Sequence, residues 1–238
     1  MSLPDSSRSR DVVVGPSRSG ASRAGRRRGA LTALLGVLVV VTAGLTVIWF
    51  ATAPAGGPHP PPPSAGLACV AEPGTPQRDV DPDDAPEHAW RHVPGGEVTV
   101  YFATAGLPRR YADMVATGAR LWSLSPCIEA LAVESCPAGT NCTIVRVKER
   151  SDDRDTDGET SSVDRDRVRL SSRITLYTAL LDKSSDNGAL ATVVHEMGHA
   201  LGLVHRKQPG TVMNATTDDH TDPTPDETDY ANLRAIYG

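Results

Sequence analysis

The sequence predicts an α+β fold: a twisted mixed sheet, one helix that carries the functional side chains and a C-terminal helix, preceded by one transmembrane helix. Three observations lead there. Period-two alternation, as in Glu97-Val98-Thr99-Val100-Tyr101-Phe102, marks strands. Helical periodicity up to about Leu201 puts Leu190, Val193, Val194, Met197 and Leu201 on one side and His195 and His199 on the other. Ala30 to Ala53 holds no charged residue over 24 positions.

Residues 1–29 carry seven Arg against Asp5 and Asp11, a net +5, which leaves −10 on residues 30–238. A basic tail could suit nucleic acid, but beside an apolar run it reads as a cytoplasmic flank, and no nucleic-acid partner is expected. As a helix, residues 30–53 would be about 36 Å long, enough for a bilayer core of roughly 30 Å. Arg26-Arg27-Arg28 would stay inside, making this a signal-anchor with a cytoplasmic N-terminus and the rest of the chain outside the cytoplasm. The alternative is a signal peptide cleaved at Ala51-Thr52-Ala53, giving a secreted product. The length of the run and Pro54 favour the anchor. Both readings place the remainder outside. There, the four cysteines (Cys69, Cys127, Cys136 and Cys142) suggest two disulfides, with three connectivities open.

Residues 54–88 read as a linker, with Pro58-His59-Pro60-Pro61-Pro62-Pro63 extended and the acidic stretch from Asp79 to Pro86 solvated. A single folded domain is expected over 89–238. After the strand at 97–102, Leu107–Leu124 reads as a helix with Pro108 in its first turn, packing Tyr111, Met114, Val115, Leu121 and Trp122. Pro126 stops it. Ile128–Val133 and Thr143–Val147 read as strands, with a Pro-Ala-Gly turn between Cys136 and Cys142. Asp152–Asp166 reads as a polar loop. In it Asp153, Asp155 and Asp157, followed by Gly158, match the opening of a calcium loop, with Asp164 where Glu is usual. A solvated acidic loop fits the same residues without an ion. Residues 168–181 are β-like, and Asp186 or Asn187 can cap the next helix. Thr224-Pro225-Asp226-Glu227 reads as cap, first helical residue and capping box of the last one.

The functional helix carries His195-Glu196-Met197-Gly198-His199-Ala200-Leu201-Gly202-Leu203-Val204-His205, an H-E-x-x-H-x-x-G-x-x-H pattern. Imidazoles four apart share one helical face, Gly202 permits a sharp turn through positive φ, and the turn returns His205 as a third ligand. His195, His199 and His205 suit zinc. Glu196 lies beside the metal, as a general base would. The chemistry indicated is that of a zinc-dependent hydrolase. A non-catalytic zinc-stabilised surface binding module would need the three His but would have no use for Glu196.

These residues, with Met213 eight positions after His205 and the closing Asp229–Gly238, resemble the metzincin zinc endopeptidases, in particular the matrixin branch. The resemblance covers about Ala189 to Gly238. Small neutral proteases of the snapalysin type are similar in scale but use Asp as third ligand. It implies a zincin-like catalytic domain, a peptide or protein substrate, one catalytic Zn2+, Glu196 as catalytic base and Met213 in a turn under the metal. It further implies substrate lying along a sheet edge near Ile174–Thr178. The chain departs from the pattern at Asn214, where matrixins usually carry Tyr. It departs again at Cys69, whose Leu-Ala-Cys-Val-Ala surroundings are not those of a cysteine switch.

Overall fold

Alternation in Val98–Ala103 (β2) buries Val98, Val100 and Phe102, which fixes that strand inside the sheet with one face on the core. The computed structural model describes residues 68–238 apart from residues 73, 85–87 and 153–154. The expected basic tail at 1–29 and transmembrane helix at 30–53 lie outside the described residues. Among the described residues no helix is long and apolar enough to cross a membrane.

Six strands form one mixed sheet. Val168–Tyr177 (β6), Cys142–Lys148 (β4), β2 and Ile128–Val133 (β3) lie side by side in that order, and Ala89–Trp90 (β1) pairs with the start of β6; all these pairings are parallel. Gly158–Arg165 (β5) pairs antiparallel with β6. The sheet is mixed, as expected, but more parallel than an α+β label implies. Residues of Arg109–Trp122 (α1) cross over between parallel β2 and β3, making a βαβ unit. The remaining helices are Thr178–Leu181 (α2), Asp186–Ala200 (α3) and Glu227–Tyr237 (α4).

The expected polar loop at 152–166 is largely a strand. Residues 158–165 carry few apolar side chains, and the strand is held by its ladder to β6 rather than by burial. Its hairpin turn places Asp166 and Arg167 at φ 52° and 64°, the left-handed pair that matches strand twist in two-residue hairpins. Consequently β6 lies between β4 and β5, and the free edge beside the cleft is β5, not residues 174–178.

Helix starts also shift. The first helix begins at Arg109, so Pro108 is the cap residue of α1 rather than part of its first turn. Ser185 caps α3, its hydroxyl accepting the Gly188 N–H at 3.1 Å. Asp226 caps α4 in a reciprocal box with Asp229, two residues beyond the expected Thr224. A carboxylate at the positive helix end is the stronger acceptor.

Between sheet and cleft, α1 packs on α3 at Gly118, where an added Cβ would stand 2.6 Å from Met197 Sδ. Trp122, fully buried, donates its indole N–H to Val194 O at 3.0 Å. Trp90 does the same to Ala200 O at 2.7 Å, and Tyr237 OH reaches Leu201 O at 2.7 Å. Three aromatic hydrogen bonds therefore fix the helix that bears His195 and His199, and its C-cap. Trp122 and Met114 are core residues, as expected.

The disulfides are Cys69–Cys127 and Cys136–Cys142, one of the three open connectivities. Cys69 is only 2 % exposed. Residues 69–84, expected as part of a solvated tether, instead run along the domain. Arg78 and Asn232 exchange hydrogen bonds, and Val80 forms an antiparallel bridge with Arg206.

Candidate metal centre and cleft

His195 and His199 project from α3, and Gly202 at φ +100° turns the chain so that His205 returns to them. The Nε2 atoms of His195 and His199 are 3.0 Å apart, and those of His199 and His205 are 3.1 Å apart. Each Nδ1 faces outward onto an acceptor: Val212 O at 2.7 Å for His195, Leu203 O at 2.8 Å for His199 and an Asp84 carboxylate oxygen at 3.2 Å for His205. Those acceptors hold the ring protons on Nδ1, so the Nε2 lone pairs converge with no proton to share. Such a set fits a cation, and neutral imidazoles suit zinc. Burial pushes the His195 imidazole down to about 4 and that of His199 to about 3, which keeps both available as neutral donors.

Met213 is fully buried beneath α3, against Gly198, where no side chain would fit beside its sulfur. Its neighbour Val212 supplies the carbonyl that orients His195, and Met213 O accepts the Arg206 N–H at 2.7 Å. The turn thus ties the first and third imidazoles together through backbone atoms. Asn214 serves this turn as well: its amide donates to Arg206 O at 3.1 Å and its Oδ1 accepts Thr216 N–H.

Glu196 is 5 % exposed and lines the same cleft as the three imidazoles, a cavity of about 520 Å³. Thr160 on β5 places its hydroxyl 2.7 Å from a Glu196 carboxylate oxygen. Burial pushes the Glu196 carboxyl up to about 8; the Thr160 hydrogen bond opposes this, while Asp157 and Glu159 add to it. Gly158, also on β5, leaves the room that Glu196 occupies: a Cβ there would stand 2.8 Å from Glu196 Cγ.

The calcium reading is not supported. Asp153 lies outside the described residues. Among the described residues, the His triad is the one grouping of three or more potential ligands close enough to hold a metal. Asp155 and Asp157 line the cleft, and Asp157 accepts the Thr192 hydroxyl at 2.8 Å. Sequence reasoning missed Thr160, Asp84 and Arg206, and read Gly158 as the turn of a calcium loop, whereas it opens β5 against Glu196. The sequence of β5 carries no apolar alternation: its inward positions 158, 160 and 162 are Gly, Thr and Ser, and its one apolar side chain, Val163, is exposed.

A helix-borne three-His centre with an adjoining buried glutamate, closed by a methionine turn, is that of a zinc metallopeptidase and has the arrangement that the metzincin motif describes. Residues 139–238 match the model of the matrixin family. No curated protein matches the chain. Among solved structures it is similar to archaemetzincin from Methanopyrus kandleri, at 12% identity and a TM-score of 0.41, over 58% of this chain and 94% of that one.

Proposed function

We propose that the protein is an endopeptidase acting on peptides or proteins outside the cytoplasm, with zinc held by His195, His199 and His205 and Glu196 as general base. One observation carries this reading: two Nδ1 atoms bonded to backbone carbonyls and a third facing the Asp84 carboxylate leave three Nε2 lone pairs converging beside a buried carboxyl. When bound, zinc supplies the Lewis acidity that activates water and polarises the scissile carbonyl.

The chain's own residues supply the rest. Glu196, as the carboxylate, accepts a proton from water and returns it to the leaving amine, and its burial favours taking up that proton. Strand β5 offers a free edge beside the cleft, to which an extended substrate adds by backbone hydrogen bonds. The uncharged run at 30–53, the arginines before it and the two disulfides support a membrane-anchored, extracytoplasmic enzyme.

The test is cleavage of casein or a peptide library by the purified protein, with and without a zinc chelator. Cleavage that stops on chelation, returns with zinc and is lost in Glu196→Gln is expected. Chelator-insensitive cleavage, or full activity of Glu196→Gln, would refute the mechanism.

A further inference from the structure

The third imidazole is held differently from the other two, and the holder comes from far away in the chain. His195 and His199 bond to backbone carbonyls, which are neutral, and both acceptors lie within the metal-centre segment itself. His205 instead meets Asp84, which is 121 residues earlier and outside the matrixin-matched segment. A single carboxylate oxygen, Asp84 Oδ2, accepts the His205 backbone N–H at 2.8 Å and faces its ring Nδ1 at 3.2 Å. Gripping one residue at both backbone and ring fixes the loop position and the ring rotation together.

The segment that carries Asp84 is fastened along its length. Cys69 is disulfide-bonded to Cys127, and Arg78 and Asn232 exchange hydrogen bonds. Asp79 O accepts Lys207 N–H at 2.9 Å, and the Asp79 carboxylate meets the Arg206 guanidinium at 3.3 Å. Asp81 N–H donates to His205 O at 2.9 Å. These bonds bracket His205 on both sides, so Asp84 is delivered to its ring by a short docked strap.

We propose that Asp84 is a positioning residue for the metal centre: its carboxylate holds His205 in the tautomer and orientation that present Nε2 to zinc. The strap at residues 78–84 is thereby part of the metal site. This rests on the reading that the three imidazoles hold zinc. A carboxylate behind a metal-bound imidazole raises its basicity as well as aiming it, and loss of such partners typically weakens metal binding by about 10–100-fold. Because the effect acts through His205, it is read on metal affinity and on the ligand field, not on turnover alone.

The experiment measures zinc dissociation by competition with a chromophoric chelator, using the folded protein and three variants. Asp84→Ala removes the backbone hydrogen bond and the carboxylate facing the ring, and is expected to weaken zinc binding at least about tenfold. Asp84→Asn keeps an acceptor of the same shape without the charge, and should fall between Asp84→Ala and the parent. Asp83→Asn removes an equal charge from an exposed neighbour that does not touch His205, and should stay within about twofold. Cobalt-loaded Asp84→Ala should show shifted d–d bands, and cobalt-loaded Asp83→Asn should not.

Unchanged zinc affinity in both Asp84 variants, or an equal loss in Asp83→Asn, overturns the proposal. Should Asp84→Ala fail to fold, the isosteric Asn variant decides alone: parental affinity there sinks the idea. A parent protein that takes up no zinc would instead sink the three-His reading, so the two failures are distinguishable.

Discussion

The Thr160 hydroxyl lies 2.7 Å from Glu196 Oε2 and 2.9 Å from the Glu196 backbone oxygen, joining the edge strand to the metal-centre helix. One hydroxyl proton cannot serve both acceptors at once. With Glu196 ionised, Thr160 donates to the carboxylate. With Glu196 protonated, the carboxyl can donate to Thr160, whose own proton turns to the backbone oxygen. The hydroxyl therefore has a bond for either protonation state of Glu196, as the proposed general base requires.

Thr160→Val should lower kcat by about 10- to 100-fold, since a hydrogen bond to a charged group contributes about 1.5–3 kcal/mol. The sign of the pH effect follows too. Thr160 lowers the Glu196 carboxyl against the upward push of burial, so its removal raises that group further. The acid limb of the kcat–pH profile should move to higher pH, and Thr160→Ser should restore it. An unmoved limb in the valine variant would count against the assignment.

Gly158 faces the same carboxyl from two residues away. A Cβ there would meet Glu196 Cγ at 2.8 Å, Oε1 at 2.9 Å and Thr192 Cγ2 at 3.0 Å. Gly158→Ala must displace Glu196 or part β5 from α3. It should lower kcat more than it raises KM and cost about 1–3 kcal/mol in stability, the usual range for overpacking. Steady-state kinetics and thermal melting of the same preparation check both halves.

What the sequence disclosed here was local. His195, Glu196, His199 and His205 fall within eleven residues, so helix geometry and one glycine turn were enough to bring them together. Met213 followed from its short interval. The strand bearing Gly158 and Thr160 escaped because Gly158–Arg165 holds few apolar side chains, and its pairing with β6 is a property of the sheet. Asp84 escaped for a different reason. An Asp in a run of Asp and Pro carries no local mark of its partner, and chain distance hides a contact that only the folded domain makes. The shifted caps at Ser185 and Asp226 show the same limit on a small scale: several acceptors compete within a few residues, and packing chooses among them.

The metal-free protein should be most stable near pH 6.5. Below that pH the unfolded chain protonates its histidines, while folded His195 and His199 stay neutral down to about 4 and about 3. The unfolded state then binds more protons, so stability falls as pH falls through this window. Glu196 acts oppositely. Its folded carboxyl, raised to about 8, holds a proton that the unfolded chain releases near 4.5, so stability falls as pH rises towards 8. Two histidines outweigh one glutamate below about 6.5, and the glutamate acts alone above it. Denaturation of chelator-treated protein across pH 4.5–8 should show this maximum, and Glu196→Gln should lose the decline on the alkaline side.

The cleft is lined by carboxylates. Asp84, Asp155, Asp157 and Glu159 border it together with the three imidazoles, and no Lys or Arg does so among the described residues. Asp157 bonds to a neutral hydroxyl on Thr192, which leaves its charge uncompensated by that partner. Peptides bearing Lys or Arg near the scissile bond should be cut faster than analogues with uncharged replacements, and added salt should narrow the ratio of kcat/KM values. A ratio near one at low salt would contradict this.

Arg206, directly after the third imidazole, is 3 % exposed and holds three carboxylates. Its Nη1 donates to Asp226 at 2.7 Å and to Asp229 at 2.9 Å, and its Nε lies 3.3 Å from Asp79. Asp229 is fully buried, and burial pushes its carboxyl up even with Arg206 beside it. Removing the guanidinium would leave that carboxylate inside the protein without its cation, a change that typically costs about 3–5 kcal/mol. Arg206→Ala should therefore lose stability on that scale in urea denaturation. Arg206→Lys should recover only part of it, because one ammonium cannot reproduce the planar fork that reaches the strap on one side and the cap of α4 on the other. Removing the Asp229 charge as well, in Arg206→Ala with Asp229→Asn, should cost less than the two single losses added together. Additive losses would mean that the pair does not act as a unit.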